Sequence, residues 1–115
     1  MKKVILLIFS LLFSVDILLY SCKKIDVPPD TPACIKKEIR NQEKNSLISV
    51  TKFKYNGEYV YLFQYDQVDS YENLLDCKCN YLCAPSGGIA GTGDGKCPDF
   101  SQKAIKVGVI WTKKE

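Results

Sequence analysis

Between Leu47 and Asp66 the chain shows its clearest pattern: two runs rich in β-branched and aromatic residues, separated by Asn56-Gly57. That dipeptide is the preferred centre of a type I′ turn, so Leu47–Tyr55 and Glu58–Asp66 are expected to form a β-hairpin. A two-residue loop sets Tyr55 opposite Glu58, Phe53 opposite Val60 and Thr51 opposite Leu62. The other face pairs Val50 with Phe63 and Ile48 with Tyr65, and puts Lys52 and Lys54 beside Tyr61 and Tyr59. The Phe53, Val60 and Leu62 face is expected to be buried near the turn. The lysine and tyrosine face is expected to be half-exposed, with lysine stems along rings.

Upstream, Thr31 to Asn45 has helical spacing. Cys34, Ile35, Ile39 and Gln42 fall on one face, and Lys36, Lys37, Arg40, Glu43 and Lys44 cover the other. Thr31 is placed to cap this helix, with Pro32 at its first position and Asn45 as its stop. Downstream, Tyr71–Asp76 is expected to be a short helical turn bringing Leu74 and Leu75 to the core, followed by a short strand at Tyr81-Leu82-Cys83. Gly, Pro, Ser and Asp then dominate from Ala84 to Asp99, which is loop chemistry. Lys103 to Thr112 alternates, so a final strand should pack Ile105, Val107, Val109 and Trp111 inward, with Lys106, Gly108 and Ile110 on its other side. The sum is an α+β domain over residues 33–115: one N-terminal helix packed on a small antiparallel sheet.

The N-terminus follows a different pattern. Lys2-Lys3 precede a predominantly apolar run from Val4 to Leu19, and Leu19-Tyr20-Ser21-Cys22 closes it. This is the layout of a lipoprotein signal peptide over residues 1–21, with Cys22 as the acylated first residue of the mature chain. The rival is an ordinary secretory signal. A permanent anchor fits poorly, because a spanning helix needs about 20 apolar residues and Asp16 interrupts this shorter run. Several acyl chains on one cysteine suffice for stable attachment. Lys23-Lys24 follow without an acid, so the expected location is the cell envelope, lipid-anchored at the outer membrane and facing the periplasm. Residues 22–32 hold Pro28-Pro29 and Pro32 and read as an extended, solvated tether. At about 3.1 Å per residue it would hold the domain roughly 30 Å from the bilayer.

Composition narrows the chemistry. Removing Lys2, Lys3 and Asp16 from 16 basic and 13 acidic residues leaves 14 and 12, a balance without a basic stripe for nucleic acid. The chain has no histidine, which excludes Ser-His-Asp and Cys-His catalysis and any zinc site needing imidazole. Beyond Cys22, the cysteines are Cys34, Cys77, Cys79, Cys83 and Cys97. In an exported domain this small they are disulfide candidates, and their odd number leaves one over.

The segment from Cys83 to Phe100 is the one that looks like a signature. Its tail approaches a phosphate-binding loop at Gly95-Lys96, but Cys97 replaces the magnesium-binding hydroxyl, Pro98 removes an amide, and no buried strand leads in. Nucleotide is therefore not expected. Gly87, Gly88, Gly91, Gly93 and Gly95 instead supply backbone with positive φ. A bridge from Cys97 to Cys83 or Cys79 would constrain the loop by about 3 kcal/mol on a chain-entropy model. Cys77 and Cys79 project to one side of an extended segment, which suits Cys34 as partner for one of them. The favoured scheme is Cys83–Cys97 with Cys34–Cys79 and Cys77 left over, and other pairings stay open. A four-thiolate zinc centre at Cys77, Cys79, Cys83 and Cys97 lacks the usual spacing. Calcium at Asp94 and Asp99 lacks the known loop pattern, so no metal or cofactor is assigned. Asp94 reads as a turn residue, and Asp99 as the cap of a short helix at Phe100-Ser101.

The block Leu82-Cys83-Ala84-Pro85-Ser86-Gly87-Gly88, then Gly91 and Gly93-Asp94-Gly95-Lys96-Cys97-Pro98-Asp99-Phe100, resembles a family of small bacterial envelope lipoproteins built on a domain of unknown function. Val60-Tyr61 and Ile110-Trp111 extend the resemblance over most of the mature chain. It implies no activity, ligand or catalytic residue. Many members of the family it resembles carry Cys-Cys-Asp where this chain has Val68-Asp69-Ser70, so no family disulfide scheme is carried over.

The functional expectation is a lipid-anchored binding or scaffolding module, not an enzyme. Its membrane contact is through Cys22, any protein partner is unidentified, and neither nucleic acid nor nucleotide is expected. Ser86, Gly87, Gly88, Gly91, Gly93, Asp94, Gly95 and Lys96 form the candidate binding loop. The alternative is an exported inhibitor offering the Cys83–Cys97 loop, with its tip near Ile89-Ala90, to a protease or other enzyme. A Ser86/Lys96 dyad would need the two side chains together, which nothing in the sequence arranges.

Overall fold

A computed structural model describes residues 25–114. The expected signal peptide and Cys22 lie outside the described residues. The elements run α1 (Ala33–Gln42), β1 (Leu47–Tyr55), β2 (Glu58–Tyr65), β3 (Tyr71–Asp76), β4 (Tyr81–Gly87), α2 (Phe100–Lys103) and β5 (Ile105–Thr112). The strands form one sheet in the order β4-β3-β2-β1-β5, and every neighbouring pair is antiparallel. The fold is α+β and carries two disulfides. No helix among the described residues is long and apolar enough to cross a membrane.

The hairpin turns at Asn56 (φ 52°) and Gly57 (φ 79°), both left-handed as a type I′ turn requires. The register follows from it: Tyr55 faces Glu58, Phe53 faces Val60 and Val50 faces Phe63. Only the far end slips. Leu47, not Ile48, faces Tyr65, because the β1–β2 register shifts between Leu47 and Ser49. A bulge of this kind inserts one unpaired residue, and no side-chain pattern announced it.

The sheet buries both faces, which corrects the expectation of a half-exposed lysine and tyrosine face. Four consecutive β2 residues, Val60, Tyr61, Leu62 and Phe63, are buried. Such an unbroken run marks a strand covered on both sides. On one face Tyr61, Phe63, Val50, Leu47 and Ile110 pack with Ile35 and Ile39 of α1. On the other, Val60, Leu62, Leu74 and Cys83 pack with Cys97 and Phe100. Tyr61, expected to be half-exposed, is therefore 2% exposed beneath the helix side. Lys52 still lies along a ring, its Nζ 4.2 Å from the Tyr59 centroid and 3.1 Å from Asp30 Oδ2.

Three further expectations change. Tyr71–Asp76 is strand β3, not a helical turn: pairing on both sides, with β2 and β4, overrides its weak alternation. Leu74 faces one core and Leu75 packs against the other. In β5 the buried residue is Ile110, whereas Ile105, Val107 and Val109 are exposed by 67%, 54% and 50%. Register shifts against β1, between Val50 and Thr51 and between Lys52 and Phe53, break the alternation of this edge strand. At α1 the helix starts at Ala33 with Pro32 in the cap position and no side-chain cap bond. Thr31 is instead buried, its N–H bonded to the Pro28 carbonyl at 3.1 Å.

The described part of the tether also differs from a solvated spacer. Ile25 and Val27 are half-buried against the helix-side core. They share a groove with Lys44, Trp111 and Lys113 where α1 and β5 end. Apolar residues at alternate positions outweighed the proline signal.

Candidate functional site

The loop from Cys83 to Cys97 is built down onto the sheet. Cys83 and Cys97 are bonded, with Cα atoms 6.0 Å apart, and both are buried. Beyond them Phe100 meets Phe53 and Tyr55 edge to face, at centroid distances of 5.0 and 5.3 Å. Asp99 does not cap α2 with its side chain. It accepts a hydrogen bond from the Tyr55 hydroxyl at 2.5 Å and pairs with Lys103 at 3.1 Å. Those two partners, Tyr55 first, hold the Asp99 carboxyl below its usual range.

The returning arm of the loop lies along β4. Gly93 N–H bonds the Gly87 carbonyl at 3.0 Å and Asp94 N–H bonds the Ala84 carbonyl at 2.9 Å. This approach requires glycine at two positions with positive φ. A Cβ on Gly93 would collide with the Ala84 carbonyl, and one on Gly87 with the Ser70 carbonyl. Asp94 then anchors the arm. Its Oδ2 accepts from the Tyr81 hydroxyl at 2.6 Å and its Oδ1 from Lys96 N–H at 3.0 Å. The Tyr81 bond is the main cause of a lowered Asp94 carboxyl. Partial burial, then Asp94 itself, push Tyr81 up to about 12. Lys96 Nζ stands 5.6 Å from the Tyr81 ring centroid.

The candidate residues thus separate into clamped and open sets. Gly87, Gly93 and Asp94 are structural, and Gly88 lies over the Tyr71 ring. Gly91 and Gly95 face open space, and Ile89 at the tip is 92% exposed. Ser86 and Lys96 take separate partners near opposite ends of β4. The Ser86 hydroxyl donates to Glu72 Oε2. Glu72 Oε1 accepts from Gln64 Nε2 at 3.2 Å, and Gln64 Oε1 accepts from Ser49 at 2.7 Å. This polar line crosses four strands. Glu72, Gln64, Ser49 and Tyr81 had no sequence signal beyond their polarity, since only the register brings them together.

The second disulfide joins Cys34 on α1 to Cys79, with Cα atoms 6.0 Å apart. It staples the helix to the connection between β3 and β4, where Asp76 accepts bonds from Lys78 N–H and Asn80 N–H at 2.9 and 2.8 Å. Cys77 is exposed and the one free cysteine among the described residues. Those residues contain no group of three His, Cys, Asp or Glu side chains arranged to hold a metal ion. Asp94 and Asp99 have their oxygens committed to separate partners.

A family model described as a domain of unknown function, DUF6970, matches residues 36–113, which is more than half of the chain. The chain belongs to the DUF6970 family. The match takes in most of α1, all five strands and the Cys83–Cys97 bridge, while Cys34 of the second bridge lies just before it. No curated protein matches it, and no solved structure does.

Proposed function

We propose that this DUF6970 chain is a lipid-anchored binding or scaffolding module of the cell envelope, not an enzyme. Residues 1–21 act as the export signal, Cys22 carries the acyl chains, residues 22–32 lead into the domain, and residues 33–115 fold. The outer membrane facing the periplasm is its site. The observation that carries the binding reading is the build of the Cys83–Cys97 loop. Both arms are fixed by the disulfide, Gly93 and the Tyr81–Asp94 bond, while Ile89 stands out at the tip. A held loop with an exposed apolar tip presents contact surface on a rigid scaffold.

Intact mass of the protein made in cells, with and without reductant, tests the attachment and the bridges together. Acyl mass on a chain beginning at Cys22, lost in Cys22→Ser, is the expected result. A chain still beginning at Met1 refutes it. The same exposed tip favours a second reading, an inhibitor that inserts Ile89-Ala90 into an enzyme. Tight, stoichiometric inhibition of an envelope protease, abolished by Ile89→Asp, would establish that reading instead.

A further inference from the structure

Val68 and Ile89 are 93% and 92% exposed, the most exposed large hydrophobic side chains among the described residues. They lie on adjacent loops, tied by the bond from Gly88 N–H to the Ser70 carbonyl at 3.1 Å. Both loops are at the end of the sheet opposite the Asn56-Gly57 turn, where β2 ends, β3 begins and β4 ends. The same end receives the last turn of α1, the end of β5 and the entry of the chain at Ile25, grouped around Lys44, Trp111 and Lys113. Two residues, Lys23 and Lys24, separate Ile25 from Cys22, a span of three steps and at most about 11 Å.

We propose that this end is the membrane-contacting face of the domain, with Val68 and Ile89 seated in the headgroup layer of a zwitterionic phospholipid surface. The proposal rests on attachment through Cys22, and it names what the tip of the candidate loop touches. With Ile25 packed on the fold, the short lead cannot lift this end away from the bilayer, so the two aliphatic tips are held where they can leave water. The charges around them have both signs. Lys44, Lys113 and Lys114 line the groove together with Asp26 and Glu43, and Asp66 and Asp69 stand in the connection between β2 and β3. A headgroup carrying phosphate and ammonium complements such a mixture. An anionic surface would be opposed by Asp66 and Asp69 on either side of Val68.

Trp111 is the only tryptophan in the chain, so single-tryptophan probes are simple to make. Ile89→Trp and, as the opposite-end control, Glu58→Trp are each combined with Trp111→Phe in the full chain. The proteins are made in cells, checked for acyl mass and for both disulfides, and reconstituted in phosphatidylcholine vesicles with or without brominated acyl chains. The expected result is loss of emission for tryptophan at position 89 in brominated vesicles, none at position 58, and a smaller loss when phosphatidylglycerol is added. Co-flotation with vesicles but equal emission at both positions overturns the docking and leaves the attachment standing. Quenching that appears only with phosphatidylglycerol overturns the choice of surface. A chain without acyl mass overturns the attachment and the docking with it.

Discussion

Gly93→Ala and Gly91→Ala are chemically identical changes in the same loop, and their difference isolates one contact. Both glycines have left-handed backbones, φ 76° and 73°. An L side chain there costs roughly 1–2 kcal/mol, whichever site carries it. The loss of unfolded-chain freedom on replacing glycine by alanine is also shared. The surroundings differ. At Gly91 a Cβ meets nothing within 4 Å, whereas at Gly93 it meets the Ala84 carbonyl oxygen, Pro85 C at 2.8 Å and Ser86 N at 2.9 Å. All three are backbone atoms of β4, so they cannot move aside as a side-chain end would. Forcing extra volume into a packed site costs about 1–3 kcal/mol. Gly93→Ala is therefore expected to lose about 2 kcal/mol more than Gly91→Ala, a Tm difference of roughly 8–16 °C for a domain of this size. Urea melts followed by circular dichroism measure it, and protease sensitivity at Ile89-Ala90 should rise in Gly93→Ala alone. Equal midpoints for the two variants would refute the docking of the returning arm on β4.

Three other outcomes are expected. Breaking Cys34–Cys79, which spans 45 residues, by the double change to alanine should cost about 4 kcal/mol on the chain-entropy relation; a loss under about 1 kcal/mol by urea melt refutes the staple. Before reduction, alkylation and peptide mapping of the segment from Cys34 to Cys97 should modify Cys77 alone. Stability should hold from mildly acid to mildly alkaline pH and fall outside that range. Asp30, Asp76, Asp94 and Asp99 all sit below their ordinary 3.8, so the stability they contribute is present above that pH and lost as pH drops through their folded values. Tyr55, Tyr61, Tyr65 and Tyr81 are raised above 10.0, so their contribution is full below that pH and lost as it climbs. A melting midpoint that rises on acidification below 3.8 contradicts the carboxylate assignments.

Local chemistry was the readable part of the sequence. Asn56-Gly57 determined the hairpin register for seven residues of β1, because a turn of fixed length leaves no freedom until a bulge intervenes. The loop length between Cys83 and Cys97, and the position of Cys34 on a helix face, favoured the bridges the structure contains. What escaped was set by distant pairing. Tyr71–Asp76 has only weak alternation of its own and becomes a strand because two strands flank it. The β5 pattern promised four inward side chains, yet its place at the sheet edge and its register shifts left Ile105, Val107 and Val109 exposed and only Trp111 packed against the core. The apolar residues on both faces of the hairpin were visible, and their meaning, a cover on each side, becomes plain only with α1 and Phe100 in place. The link from Ser49 to Ser86 spans four strands, so no local window contained it.

Both sulfur bridges converge on one short stretch, with Cys79 just before β4 and Cys83 within it. A peptide bond cut anywhere between Cys34 and Cys79, or between Cys83 and Cys97, leaves the two pieces covalently joined. Only the few bonds from Cys79 to Cys83 escape this protection over that whole span. A molecule cut once in either loop would therefore stay one covalent unit, heavier only by the water of hydrolysis, and a second cut in the same loop would be needed to free a fragment.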